Sequence, residues 1–79
     1  MLTGAQIRMA RGYLGWSVQA LAEKADVGVS TVRRMEQAEG IPAASARNLE
    51  SVRLALESGG VVFLDGEDGL GPGVRTRNA

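Results

Sequence analysis

Apolar positions recur at helical spacing four times along the first three-quarters of the chain, and the period then changes. Ile7, Ala10 and Leu14 form the first stripe, Leu21, Ala22 and Ala25 the second, Val32 and Met35 the third, and Leu49, Val52 and Leu56 the fourth. Residues three and four apart share a helix face, so each stripe predicts a short amphipathic helix. Beyond Gly59-Gly60 the pattern becomes a continuous β-rich run, Val61-Val62-Phe63-Leu64, and later an alternating one, Gly73-Val74-Arg75-Thr76-Arg77. These read as two strands of a hairpin. Asp65 to Pro72 between them reads as a flexible acidic turn.

Local signals set the ends. Thr3 with Gln6 makes a capping box, and Leu2 with Ile7 a hydrophobic staple, so the first helix opens at Thr3. Gly12 and Gly15 bracket its end, and Gly15 suits a left-handed C-terminal position. Ser17 is an N-cap, flanked by Trp16 and Leu21 at staple spacing. Ala25-Asp26-Val27-Gly28 is a tight turn: Asp26 takes the left-handed position, Val27 plugs the angle between helices and Gly28 caps the next one. Gln37 to Pro42 is a loop, and a fourth helix is predicted over about Ala43 to Ser58. Small Ala22 and Ala25 allow a second helix to approach closely. The expected architecture is mainly α. It divides into a four-helix unit over 1–58, with a helix-turn-helix at 17–36, and a C-terminal β extension over 59–79.

The third helix leaves Val29, Ser30, Arg33 and Arg34 facing out as two i, i+4 pairs. A helix-turn-helix places such a second helix in the DNA major groove. Arginine can grip guanine O6 and N7 as a fork, serine can donate or accept, and valine can pack on a thymine methyl. These four are therefore the base-reading candidates, the other reading being ordinary surface residues. Arg33 and Arg34 point about 100° apart on an ideal helix, so one can read bases while the other holds phosphate. Ser17, Gln19 and Thr31 sit near helix N-termini, where free N–H groups favour phosphate. Ser17 reads equally well as a cap alone.

The segment SVQALAEKADVGVSTVRRME resembles the DNA-binding motif of the phage repressor/Cro-like (lambda-repressor-like, XRE) family, S-Q-x-x-L-A-x-x-x-G-V-S-x-x-T-I-x-R-x-E. Ser17, Leu21, Ala22, Val27, Thr31, Val32, Arg34 and Glu36 match, and the resemblance spans about residues 3–57. Val18 stands where the family often has a DNA-contacting glutamine. Asp26 replaces the turn glycine, and Gly28 the usual serine or threonine. The resemblance implies a lambda-repressor-like fold and a sequence-specific transcriptional regulator, homodimeric on a near-palindromic operator and often autoregulatory. By family correspondence Val29, Ser30 and Arg34 are the stronger base readers. In the family an arginine of the first helix pairs with the glutamate closing the recognition helix, and Arg11 with Glu36 are the matching positions, the other reading being two solvated side chains. An apolar strand such as Val61, Val62, Phe63 and Leu64 is a dimerisation device in Cro-like proteins, with packing of the fourth helix the other reading of the dimer contact.

Composition refines this picture. The chain has 79 residues, nine basic and nine acidic side chains, no histidine and no cysteine. So few residues make one small domain whose core is barely self-sufficient, which favours a dimer. The zero net charge is unevenly spread: residues 1–36 carry net +2 and residues 37–79 net −2, so the motif half is the positive half. Weak non-specific DNA binding follows, with tight binding needing a specific site. Disulfides and thiolate metal sites are excluded. No apolar run approaches the roughly 20 residues of a membrane span, and there is no basic-then-apolar leader; a cytoplasmic location, nucleoid-associated when DNA-bound, is expected in a bacterial source. Asp65-Gly66-Glu67-Asp68-Gly69 lacks the spaced ligands of a calcium loop. Gly69-x-Gly71-x-Gly73 lacks the helix of a phosphate loop. With no activated nucleophile, no enzyme and no cofactor are expected. The partners expected are double-stranded DNA and a second copy, with no membrane. A regulatory protein partner is the other option: an antitoxin or anti-activator would use the C-terminal β segment to bind another protein.

Overall fold

The computed structural model describes residues 2–77. Four helices and one two-stranded antiparallel sheet follow in order: α1 (Gly4–Leu14), α2 (Val18–Ala25), α3 (Val29–Gln37), α4 (Ala46–Ser58), β1 (Val61–Leu64) and β2 (Gly73–Thr76). The fold is mainly α, a four-helix domain with a helix-turn-helix and a C-terminal hairpin.

Each early boundary has a local cause. The Thr3 hydroxyl accepts from the Gln6 N–H while the Gln6 side chain takes the Thr3 N–H, a closed capping box. Gly15 ends α1 in the left-handed region at φ 69°. The Ser17 hydroxyl caps α2 through the Ala20 N–H at 2.9 Å, and Asp26 ends it at φ 56°, ψ 47°. Gly28 opens α3 with no side-chain cap bond. The fourth helix begins at Ala46, three residues later than its apolar pattern suggests. Ser45 takes the N-cap, its hydroxyl accepting from the Asn48 N–H at 3.0 Å, and the Ala44 N–H turns back to the Pro42 carbonyl.

The stripes meet in one core. Ile7, Ala10, Leu21, Val32, Met35, Val52, Leu56 and Val61 anchor it, with Val27, Phe63 and Val74 packed on its margin. Trp16, half-buried, joins that margin and lies under the Lys24 ammonium, 4.8 Å from the ring centre. The hairpin pairs within the chain, Val61 opposite Thr76, Val62 opposite Arg75, Phe63 opposite Val74 and Leu64 opposite Gly73. Its connection, expected to be flexible, closes on Asp68 and Gly69. Both have positive φ, 49° and 79°, and Glu67 and Leu70 exchange backbone hydrogen bonds of 2.9 and 2.8 Å. Positive φ at both central residues is the type I′ pattern, whose twist matches that of paired strands, and Asp-Gly is a favoured sequence for it. The Gln6 amide fastens the hairpin to α1, donating to the Leu64 carbonyl at 2.9 Å and the Gly73 carbonyl at 3.0 Å.

Candidate nucleic-acid interface

The outward surface of α3 is built by what its inner surface must do. Val32 and Met35 are fully buried, and the 3.6-residue period then turns Ser30, Arg33 and Arg34 to solvent. Among the described residues neither Arg33 nor Arg34 forms an ion pair or hydrogen bond. Two guanidiniums are thus held on a rigid helix with their donors uncommitted. Val29, at the first position of α3, is half-buried and packs on the core margin. Thr31 is half-buried on the flank toward α4, while Ser17 and Gln19 are exposed at the start of α2. The Ser17 hydroxyl acts as the α2 cap and keeps its own proton to donate.

The far end of α3 is clamped to α1. Arg11 meets Glu36 through two hydrogen bonds, Nε to Oε2 at 2.7 Å and Nη2 to Oε1 at 3.0 Å, the fork-to-fork arrangement of a strong charge-assisted pair. Its remaining Nη1 donates to the Trp16 carbonyl at 3.0 Å, so one side chain ties together α1, the α1–α2 link and α3. The Glu36 side chain is 8% exposed and that of Arg11 27%. Donating its hydrogen bonds to Glu36 raises the Arg11 pKa above its ordinary value, against the lowering effect of burial, and Coulomb attraction adds to the rise. Arg8 adds a second strap by donating from Nη1 to the Glu36 backbone carbonyl. Arginine here also complements the negative end of the α3 dipole. By pattern alone Arg8 is no more than one of the positive charges of the motif half. Its position three residues before Arg11, on the same side of α1, is the signal that points to this strap.

An open groove of about 400 Å³ runs beside this face between α3 and the start of α4, with Thr31, Arg34, Ser45 and Asn48 as its polar lining. Ser45 and Asn48 carry no sequence signal beyond their own cap. The strand residues Val61 to Leu64 lie apart from α3. Val61 is 0% exposed in this chain's own core and Phe63 packs at its margin, whereas Val62 and Leu64 are half-buried outside it. No helix is long and apolar enough to cross a membrane among the described residues.

A family model for a helix-turn-helix domain matches residues 3–52, from the α1 cap to the middle of α4 and well over half of the chain. A search of curated proteins finds no match.

Proposed function

We propose that this chain, which belongs to the helix-turn-helix domain family, is a sequence-specific transcriptional regulator of the phage repressor/Cro (XRE) type. The family fold is a DNA-binding one, and the narrower reading rests above all on α3. Two adjacent arginines stand exposed on a short helix that is buried on its other side and strapped at its end by Arg11 and Arg8. A helix entering a major groove needs this combination of free bidentate donors and a fixed axis. Val29, Ser30, Arg33 and Arg34 are the base-reading set, and Ser17, Gln19 and Thr31 hold the flanking phosphates. The working form is a homodimer on a near-palindromic operator, its two α3 helices about 34 Å apart in successive major grooves. Zero net charge keeps non-specific binding low, which suits a protein that selects one site.

The test is a mobility shift on the DNA upstream of the chain's own gene, with competitor DNA at roughly 150 mM salt, comparing wild type with Arg34→Ala. Specific binding weakened by about 1–3 kcal/mol in the variant is expected for a lost guanine contact. Equal affinity for any DNA, or none, overturns the reading.

A further inference from the structure

The open groove between α3 and the start of α4, about 400 Å³ in volume, combines two kinds of surface. Its floor is apolar and includes Met35, Pro42 and Ala44, the first two of them buried. Its rim is polar, and the side chains there are not spent elsewhere. Among the described residues Arg34 forms no ion pair or hydrogen bond, and neither does the Thr31 hydroxyl or the Asn48 side-chain amide. The Ser45 hydroxyl accepts from the Asn48 backbone N–H and keeps its own proton to donate.

Charge decides what such a groove can hold. Arg34 is the one charged residue of the lining among the described residues, so the groove offers a cation and no carboxylate. Its occupant therefore carries an anion. A guanidinium takes both oxygens of a carboxylate as a fork, and an amide and two hydroxyls beside it supply further donors. The floor calls for an apolar body behind that anion. Small-molecule sites join these features, apolar walls with a few polar groups that fix orientation, in volumes of roughly 300–1,000 Å³. A DNA phosphate would satisfy the rim and leave the apolar floor without a partner.

We propose that this groove binds a small carboxylic acid with an apolar or aromatic body, and that the bound acid takes Arg34 away from DNA. The inference rests on the regulator reading above, in which Arg34 is a base reader, and adds a means of control to it. One guanidinium cannot grip a carboxylate and a guanine edge at once. Occupancy of the groove and of the operator are therefore opposed, and by linkage each weakens the other by the same factor. The chain leaves its site as the acid accumulates, with sensing and reading carried by one side chain.

Benzoate is the probe, with acetate supplying the anion alone and benzyl alcohol the ring alone. Amide NMR titration of the free protein at constant ionic strength should give saturable shifts at Thr31, Met35 and Asn48 with benzoate. The midpoint should fall at about 1–10 mM, as expected for a ligand of so few atoms. Acetate and benzyl alcohol should bind at least tenfold more weakly. Arg34→Met should cost benzoate at least tenfold in affinity and Asn48→Ala severalfold. Arg47→Met, which removes the charge one residue before Asn48 and outside the groove, should change nothing. On DNA from upstream of the chain's own gene, about 20 mM benzoate should weaken binding severalfold where equal acetate does not. Shifts that fail to saturate, that acetate or benzyl alcohol reproduces, or that survive Arg34→Met overturn the proposal. So does saturable binding that leaves operator affinity untouched. Specific DNA binding by a chain that ignores benzoate overturns the groove and spares the regulator. Benzoate held through Arg34 by a chain that binds all DNA alike, or none, does the reverse.

Discussion

Arg11 is the residue on which the anchorage of α3 to α1 depends. Its guanidinium satisfies both Glu36 oxygens and the Trp16 carbonyl, so truncating it strands a carboxylate that is almost fully enclosed. Breaking a buried pair from one side is far more damaging than replacing both partners. Arg11→Ala is expected to lower stability by about 3 kcal/mol in urea denaturation, discounting the upper range because Arg11 is partly solvated. Arg11→Met combined with Glu36→Leu should recover more than half of that loss. A change below about half a kcal/mol in the single variant would show the pair to be ornamental. The pH response follows from the signs. A group whose folded pKa is raised, as for Arg11, stabilises at every pH below its unfolded value and loses that only far above neutrality. Glu50 behaves oppositely: its hydrogen bond to Arg53 holds it below the usual carboxylate range. Its contribution is therefore present above its unfolded pKa and fades as pH falls through the folded one. With no histidine in the chain, the melting temperature should be flat between about pH 6 and 8 and decline below about pH 4.5. A midpoint near pH 6 to 7 in thermal melts would contradict this.

At the scale of elements, backbone contact decides as much as side chains do. The start of α1 lies so close to the end of α3 that a Cβ on Gly4 would come within 2.6 Å of the Met35 and Ala38 carbonyl oxygens. Neither oxygen can swing aside as a side chain could, so Gly4→Ala should destabilise by about 1–3 kcal/mol, as overpacking does. Thermal denaturation reads this directly, and an unchanged melting temperature would mean the helices slide apart at no cost. Asp26 is the reverse case. It holds a left-handed conformation that glycine adopts freely, and Asp26→Gly should leave stability within about 0.5 kcal/mol or raise it. The same contrast separates what the sequence makes legible from what it does not. Thr3, Ser17 and Asp26 act on backbone three or four residues away, and their roles are readable from spacing. So is the exposure of Arg33 and Arg34, because the helical period that buries Val32 and Met35 turns them out. The start of α4 is harder to place, because Ala43 and Ala44 fit a helix by propensity while the Ser45 cap and Pro42 outweigh them. Gln6 reads from spacing as half of a capping box. Its second task, bonding carbonyls 58 and 67 residues onward, exists only once the hairpin is folded against α1.

For the whole molecule, what matters is how far the hairpin belongs to the body of the domain. Its first residue is buried in the same core as Leu56 and Ile7, Phe63 and Val74 cover the margin, and Gln6 is bonded to its end. Removing it would expose core and leave the Gln6 amide facing water. Full burial of one valine side chain is worth about 1.5–3 kcal/mol, and the parts of Phe63 and Val74 that are covered add to it. In a small domain whose total stability is of the order of 5 kcal/mol, such a loss approaches the whole. A chain ending at Gly60 should therefore be marginal or unfolded at 25 °C by circular dichroism, and its failure to bind DNA would say nothing about dimerisation. Point substitutions on the outward face, Val62→Thr or Leu64→Glu, leave the inner contacts in place and separate the two roles. If the truncated chain instead melts like the full one, the hairpin is an appendage and the four helices suffice. The coupling that runs from the core through Gln6 to the hairpin would then have no energetic content.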